Sequence, residues 1–155
     1  RPRGVETYER VSYWLLAELK QPLSKSGRPM ELVENEEKYW EFIRLLRTHE
    51  EVKQGFIQQG EISSSNHVTY MKKYGTMYYI CVVDNKPAGF AGVIDDDIRV
   101  ATHPDFQKRG VGKFMINELM KRHPGVVAKV KVENEASIRL FESCGFTKKY
   151  YLLEK

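Results

Sequence analysis

Cysteine is scarce: Cys81 and Cys144 share no CxxC spacing and no nearby paired histidines, which argues against zinc or a disulfide framework. Cys81 lies in an apolar stretch and reads as a small core residue. A reducing cytoplasm is the compartment this usage implies. No apolar run approaches the ~20 residues needed to cross a bilayer. No signal-peptide h-region opens the chain, and Arg1 in place of Met fits a piece of a longer protein. Charge of one sign is not in marked excess. Against 21 Asp+Glu stand 25 Lys+Arg, a formal net charge of +4, far from the concentrated basicity of a DNA-binding arm. Two phosphate fingerprints are also missing: there is no GxxxxGK[ST], and no GxGxxG followed by an acid about 20 positions later.

What is present suits one folded domain. The 155 residues are 41% hydrophobic and 12% aromatic, enough for a real core. Val5, Tyr8, Val11, Trp14, Leu15, Leu16 and Leu19 recur at helical steps, and Pro22, Ser24, Ser26, Gly27 and Pro29 then mark a linker. Residues 1–28 are therefore expected as a helix-plus-linker appendage to a domain over 29–155. Strands are expected at Met30–Val33, Thr76–Asp84, Ala88–Ile94, from Asp95-Asp96-Asp97 to Thr102, at Val126–Val132 and at Phe146–Leu153. Helices are expected after a cap at Asn35, over Ser64–Tyr74 with Val68 and Met71 inward, over Gly110–Arg122, and over Glu135–Ser143. Asp84-Asn85-Lys86-Pro87 is turn chemistry joining two strands. The whole reads as a mixed α/β layer around one sheet.

The most chemically loaded passage is Thr102–Lys113. Gly110 and Gly112 permit close backbone approach, the following helix offers unpaired N–H groups, and Lys108, Arg109 and Lys113 add cations. Spacing alone allows either an anion site or a glycine-containing turn with solvated basic residues.

Gln107-Lys108-Arg109-Gly110-Val111-Gly112 resembles the Q/R-x-x-G-x-G/A motif of the GNAT acyltransferases, and Thr102-His103-Pro104 resembles the V-x-P before it. Asn134, Ala136, Ser137, Ile138, Leu140, Phe141, Gly145 and Phe146 resemble that family's N-x-x-A/S-x-x-L-Y-x-x-x-GF segment. The likeness covers about Met30 to Leu153. It implies an α/β (α+β) fold with a mixed, mostly antiparallel sheet, a parallel splayed strand pair and flanking helices. It also implies acetyl-CoA as co-substrate, no metal, and direct attack of an amine on the thioester. By the same resemblance Val100 and Thr102 would meet the pantetheine arm, Gln107, Lys108, Arg109, Gly110, Val111, Gly112 and Lys113 the pyrophosphate. Asn134, Ser137 and Phe141 would line the cofactor. Val100 N–H would stabilise the oxyanion, Asn134 would reach the reacting centre, and Asp96 aligns with the family's acidic base.

Phe141 departs from the pattern, since many members carry a tyrosine there that protonates the leaving thiolate. Ser143, Ser137, Tyr74 or water are the replacements at hand. His103 is a second base candidate, in a loop before Pro104. The acceptor-determining stretch, about Thr48–Tyr74 and Lys148–Tyr151, is rich in amides and hydroxyls, and its pattern loosely resembles amino-sugar N-acetyltransferases. A small polar amine such as an amino sugar is the expected acceptor. A nucleic-acid base, a protein amine or a non-catalytic acyl-CoA-binding role are the alternatives. A homodimer or an upstream domain in the same chain is an expected partner, and a membrane is not.

Overall fold

In the computed structural model the described residues are 29–155; the amphipathic stretch and linker expected within 1–28 lie outside them. Four strands form one sheet in the order β1-β2-β3-β4: β1 Met30–Glu34, β2 Tyr78–Val83, β3 Lys86–Ile94 and β4 Asp97–Thr102. Every neighbouring pair is antiparallel. Helices α1 (Trp40–Thr48) and α2 (Ser64–Tyr74) precede β2, while α3 (Val111–Arg122) and α4 (Glu135–Ser143) follow β4.

Strand alternation sorts the core onto two faces. Tyr78, Ile80, Phe90, Ile94 and Ala101 meet Ile43 and Leu46 of α1 and Met71 of α2. Cys81, Val83, Ala91 and Ile98 meet Val111, Phe114, Met115, Ile116 and Leu119 of α3 and Phe141 of α4. The Val, Leu, Ile, Phe and Met side chains among them contribute roughly 1.5–3 kcal/mol each when fully buried. Pro87 cannot donate to the ladder, and the β2–β3 register slips between Cys81 and Val82. The carbonyl of Ala88 is taken up instead by the His103 amide at 2.7 Å.

Gly89 sits where no side chain fits. A Cβ there would lie 2.5 Å from the Ala101 carbonyl and 2.9 Å from Met115 Cε. Gly89→Ala is expected to cost about 3 kcal/mol and to lower Tm by roughly 6–12 °C. Thermal denaturation checks this, and an unchanged Tm would mean that β3 and β4 part freely at that point.

Four expectations need correction. Asp95 and Asp96 do not open β4; they form the tight β3–β4 turn, with φ of 53° and 62°. Asn35 does not cap α1: its side chain donates to the Gly75 carbonyl at 3.1 Å, and a short turn at Glu37–Tyr39 leads into the helix. Val68 is 38% exposed, and His67 points inward in its place at 4%. The stretches Val126–Val132 and Phe146–Leu153 form no ladder, because a strand needs a partner to satisfy its amides and carbonyls. Val127 bridges Asp97 in parallel, and no further pair follows it among the described residues. Tyr150 to Leu153 are all more than 80% exposed. The parallel strand pair is thus reduced to one bridge beside an antiparallel sheet. Among the described residues no helix is long and apolar enough to cross a membrane.

Candidate active site

The outer edge of β4 is where the site is built. Ile98 N–H donates to the Val127 carbonyl at 2.9 Å, and Val127 N–H donates to the Asp96 carbonyl at 2.8 Å. Amides alternate sides along a strand, so Val100 N–H lies on the same outer edge as Ile98 N–H, past the point where pairing stops. Val126, Ala128 and Val130 still pack on the core beneath. The Thr102 carbonyl, also on this edge, accepts from Gln107 Nε2 at 3.5 Å.

From Thr102 the chain turns into α3. Lys108 (φ 62°) and Gly110 (φ 82°) are both left-handed, which curls the backbone so that its amides turn inward. Phe114 N–H to the Gly110 carbonyl, 3.0 Å, is the first bond of the helix. The amides of Gly110, Val111, Gly112 and Lys113 therefore have no intrahelical acceptor. Lys108 and Lys113 are exposed, and Arg109 lies over the Phe106 ring at 5.2 Å. A cavity of about 660 Å³ adjoins this loop, lined by Met30, Arg109, Gly110, Lys113, Phe114 and Met120 among others. Gly112 has a second reason to be small: a Cβ there would stand 3.0 Å from Leu140 Cδ2 of α4.

Asn134 is the N-cap of α4, its Oδ1 accepting from Ser137 N–H at 3.2 Å. Its amide nitrogen lies near Gly55, 3.4 Å from where a Cβ would stand. Lys131 Nζ donates to the Gln54 carbonyl at 2.9 Å. The α1–α2 connection therefore reaches across to the segment before α4. Phe141 is 7% exposed and meets Phe146 edge-on at 5.1 Å, part of the α3–α4 core. Of the thiolate-side donors considered, Ser143 donates to the Leu140 carbonyl at 2.7 Å, and Tyr74 packs against Tyr70.

Asp96 is exposed at its turn. Asp97, which the sequence reading did not single out, is the acid turned toward α1 and α2. Its side chain is 18% exposed, Oδ2 stands 3.6 Å from Arg99 Nε, and Oδ1 is buried without a hydrogen-bond partner. Three consecutive aspartates hid it, since the turn boundary alone decides which of them enters the strand. His103 accepts from the Asp105 amide through Nδ1 at 3.1 Å, and its ring lies 5.9 Å from that of His49.

Neither cysteine is activated as a nucleophile. Burial pushes the Cys81 thiol up to about 12 and raises that of Cys144 as well.

His67 braces the wall opposite the sheet: its Nε2 bonds to the Trp40 carbonyl at 2.7 Å, linking α2 to α1. Burial disfavours the imidazolium and holds its pKa below the ordinary value, against the raising effect of that bond. The unfolded chain then binds the proton more readily. Stability from this group is complete above about pH 6.5 and falls as pH drops through that value toward the folded one. His67→Asn is expected to shrink the fall in Tm between about pH 7.5 and 5.5. An undiminished fall would assign it to other groups.

The Acetyltransferase (GNAT) family model matches residues 40–146. The chain belongs to the GNAT acetyltransferase family. It is accordingly an N-acetyltransferase, and the family's acyl donor is acetyl-CoA. No curated protein matches the sequence. Among solved structures, spermidine N-acetyltransferase from Vibrio cholerae in complex with CoA and spermine is similar at TM-score 0.72 and 18% identity, covering 81% of this chain and 85% of that one. The Salmonella typhimurium protein yncA with its cofactor acetyl-CoA gives 0.65 and 20%, covering 76% and 79%. The enzyme AAC(6')-Iy with the bisubstrate analogue CoA-S-monomethyl-acetylneamine gives 0.61 and 17%, covering 81% and 96%. At these identities the likeness speaks for the fold.

Proposed function

We propose that this GNAT enzyme transfers an acetyl group from acetyl-CoA to the primary amine of a small polar acceptor, such as an amino sugar, by direct attack. The observation that carries the reading is the unpaired outer edge of β4, lying between the Asp97–Val127 bridge and the amide-rich start of α3. In this reading the edge and the segment after Val127 form the family's splayed parallel pair. Val100 and Thr102 face the pantetheine arm, while the backbone from Gln107 to Lys113 holds the pyrophosphate through free amides and flanking cations. Asn134, Ser137 and Phe141 border the cofactor from α4.

The acceptor amine loses a proton, and its lone pair attacks the thioester carbonyl. A C–N bond forms, and the oxyanion rests on Val100 N–H, a donor already in place on the open edge of β4. The C–S bond then breaks, and CoA leaves as a thiolate that takes a proton. Phe141 cannot supply this proton, so water is the donor. Of the two acids near the bridge, Asp96 aligns with the family's base, but Asp97 faces the acceptor side. We assign proton removal to Asp97, directly or through a water.

A thiol-release assay with acetyl-CoA against amino sugars, polyamines, amino acids and nucleosides tests the function. Turnover on at least one small amine is expected. Acetyl-CoA binding with no release on any of them would overturn the reading.

A further inference from the structure

Resting on that acyl-transfer reading, we propose that the acceptor is an amine carrying its own anionic group, a carboxylate or phosphate, bound by Arg47 and Arg99. Arg99 lies on the α1–α2 face of the sheet beside Asp97, and Arg47 belongs to α1, which packs on that face. Arg47 Nε is buried and has no hydrogen-bond partner, and among the described residues no carboxylate pairs with this guanidinium. Arg47 is half-buried, so an unmatched Nε is costly, and a planar fork of donors fits carboxylate or phosphate oxygens. Neighbouring Arg44 differs in this respect, being held by Glu41.

An aromatic floor sets the position of both groups. The Arg47 guanidinium lies over Phe56 at 5.0 Å, Phe56 stacks on Phe90 at 6.4 Å, and Phe90 meets Tyr78 at 5.8 Å. Tyr78, Gly92 and Arg99 share one row across β2, β3 and β4. A Cβ on Gly92 would lie 2.7 Å from Tyr78 Cδ1, so the tyrosine ring covers the glycine and extends toward Arg99. Both arginines are close enough to the Tyr78 phenol to act on its ionisation.

Arg99 meets Asp97 only through Nε, at 3.6 Å, and is 35% exposed, leaving its terminal nitrogens for a ligand. Two cations thus face one carboxylate. That balance attracts an anion next to an amine and repels a polycation. The amine would stand toward Asp97 and its anionic group toward the guanidinium pair.

The test compares kcat/KM at fixed acetyl-CoA for glucosamine, glucosamine 6-phosphate, glycine and spermidine. At least one anionic amine is expected to exceed both glucosamine and spermidine by about tenfold or more. Preference between the phosphate and the carboxylate then identifies which anion the site takes. Arg47→Gln should raise KM for the favoured anionic amine about tenfold or more, while the KM for acetyl-CoA stays within about twofold. Arg47→Lys, which keeps the charge and loses the fork, should fall between. Glucosamine or spermidine matching the anionic amines would overturn this inference and leave acyl transfer standing. Acetyl-CoA binding without release from any amine would overturn the acyl-transfer reading itself.

Discussion

Reversing Arg109 and Lys113 together to glutamate is expected to raise the KM for acetyl-CoA about a hundredfold while the protein stays folded. Each charge-assisted hydrogen bond to a phosphate contributes about 1.5–3 kcal/mol. Solvent screening trims this for groups near the surface, and about 1.4 kcal/mol per site still gives a factor of ten each. Lys113 is exposed and Arg109 half-buried, so neither reversal empties the core. The local curl, with Lys108 at φ 62° and Gly110 at φ 82°, is a property of the backbone and survives the change. Calorimetric titration of CoA into the variant, with circular dichroism as the folding control, measures the effect. The remaining affinity should weaken less with added salt than in the parent, since fewer cations meet the phosphates. Unchanged CoA affinity in the folded double variant would remove the loop from the cofactor site. This double reversal is a sharper probe than enlarging Gly112, where a bulky side chain would first push Leu140 and α4 away from α3.

Asp97→Asn is expected to lower kcat by about a hundredfold or more, the usual range for loss of a positioned base. Asp96→Asn should change it only a few-fold. The contrast follows from placement. Asp96 occupies an exposed left-handed turn position, and its carbonyl takes the Val127 amide. Asp97 is turned inward beside Arg99, with one oxygen buried and unpartnered. Asparagine is nearly the same size, so Asp97→Asn leaves packing intact while removing the capacity to accept a proton and the charge that faces Arg99. The pH–rate profile separates the two roles. The acidic limb should disappear in Asp97→Asn and persist in Asp96→Asn. Parental turnover in Asp97→Asn, or a collapse in Asp96→Asn, would return the base to Asp96.

Much of this architecture was legible from local chemistry. The helix Ser64–Tyr74 and the helix Glu135–Ser143 fall where the sequence pattern put them, and the structure adds the caps, Ser63 and Asn134, which accept from amides three residues on. The β2–β3 hairpin was legible for a similar reason: Asp84 and Asn85 tolerate the left-handed conformation its turn requires, at φ 54° and 65°. Where local signals were equivocal, the reading slipped. Asn35 looks like a cap from its neighbours, yet its amide found the Gly75 carbonyl 40 residues away. Val68 and His67 differ by one step on α2, and the Trp40 carbonyl selected the histidine for burial. The segments after Val127 and Phe146 have strand composition, but pairing depends on a neighbour that composition does not specify.

The sequence by itself determined the family, the loop at Gln107–Gly112 and the start of α3, because a left-handed glycine followed by a helix is encoded within a few residues. Only the tertiary structure decided which of three consecutive aspartates enters β4 and turns toward α1 and α2. It alone set Arg47, from α1, over the aromatic series Phe56, Phe90 and Tyr78, whose row across the sheet continues to Arg99 on β4. It also showed that Gly112 is held small by Leu140 of α4. Such choices turn on sheet register and on what lies across the gap, and a one-dimensional pattern holds neither.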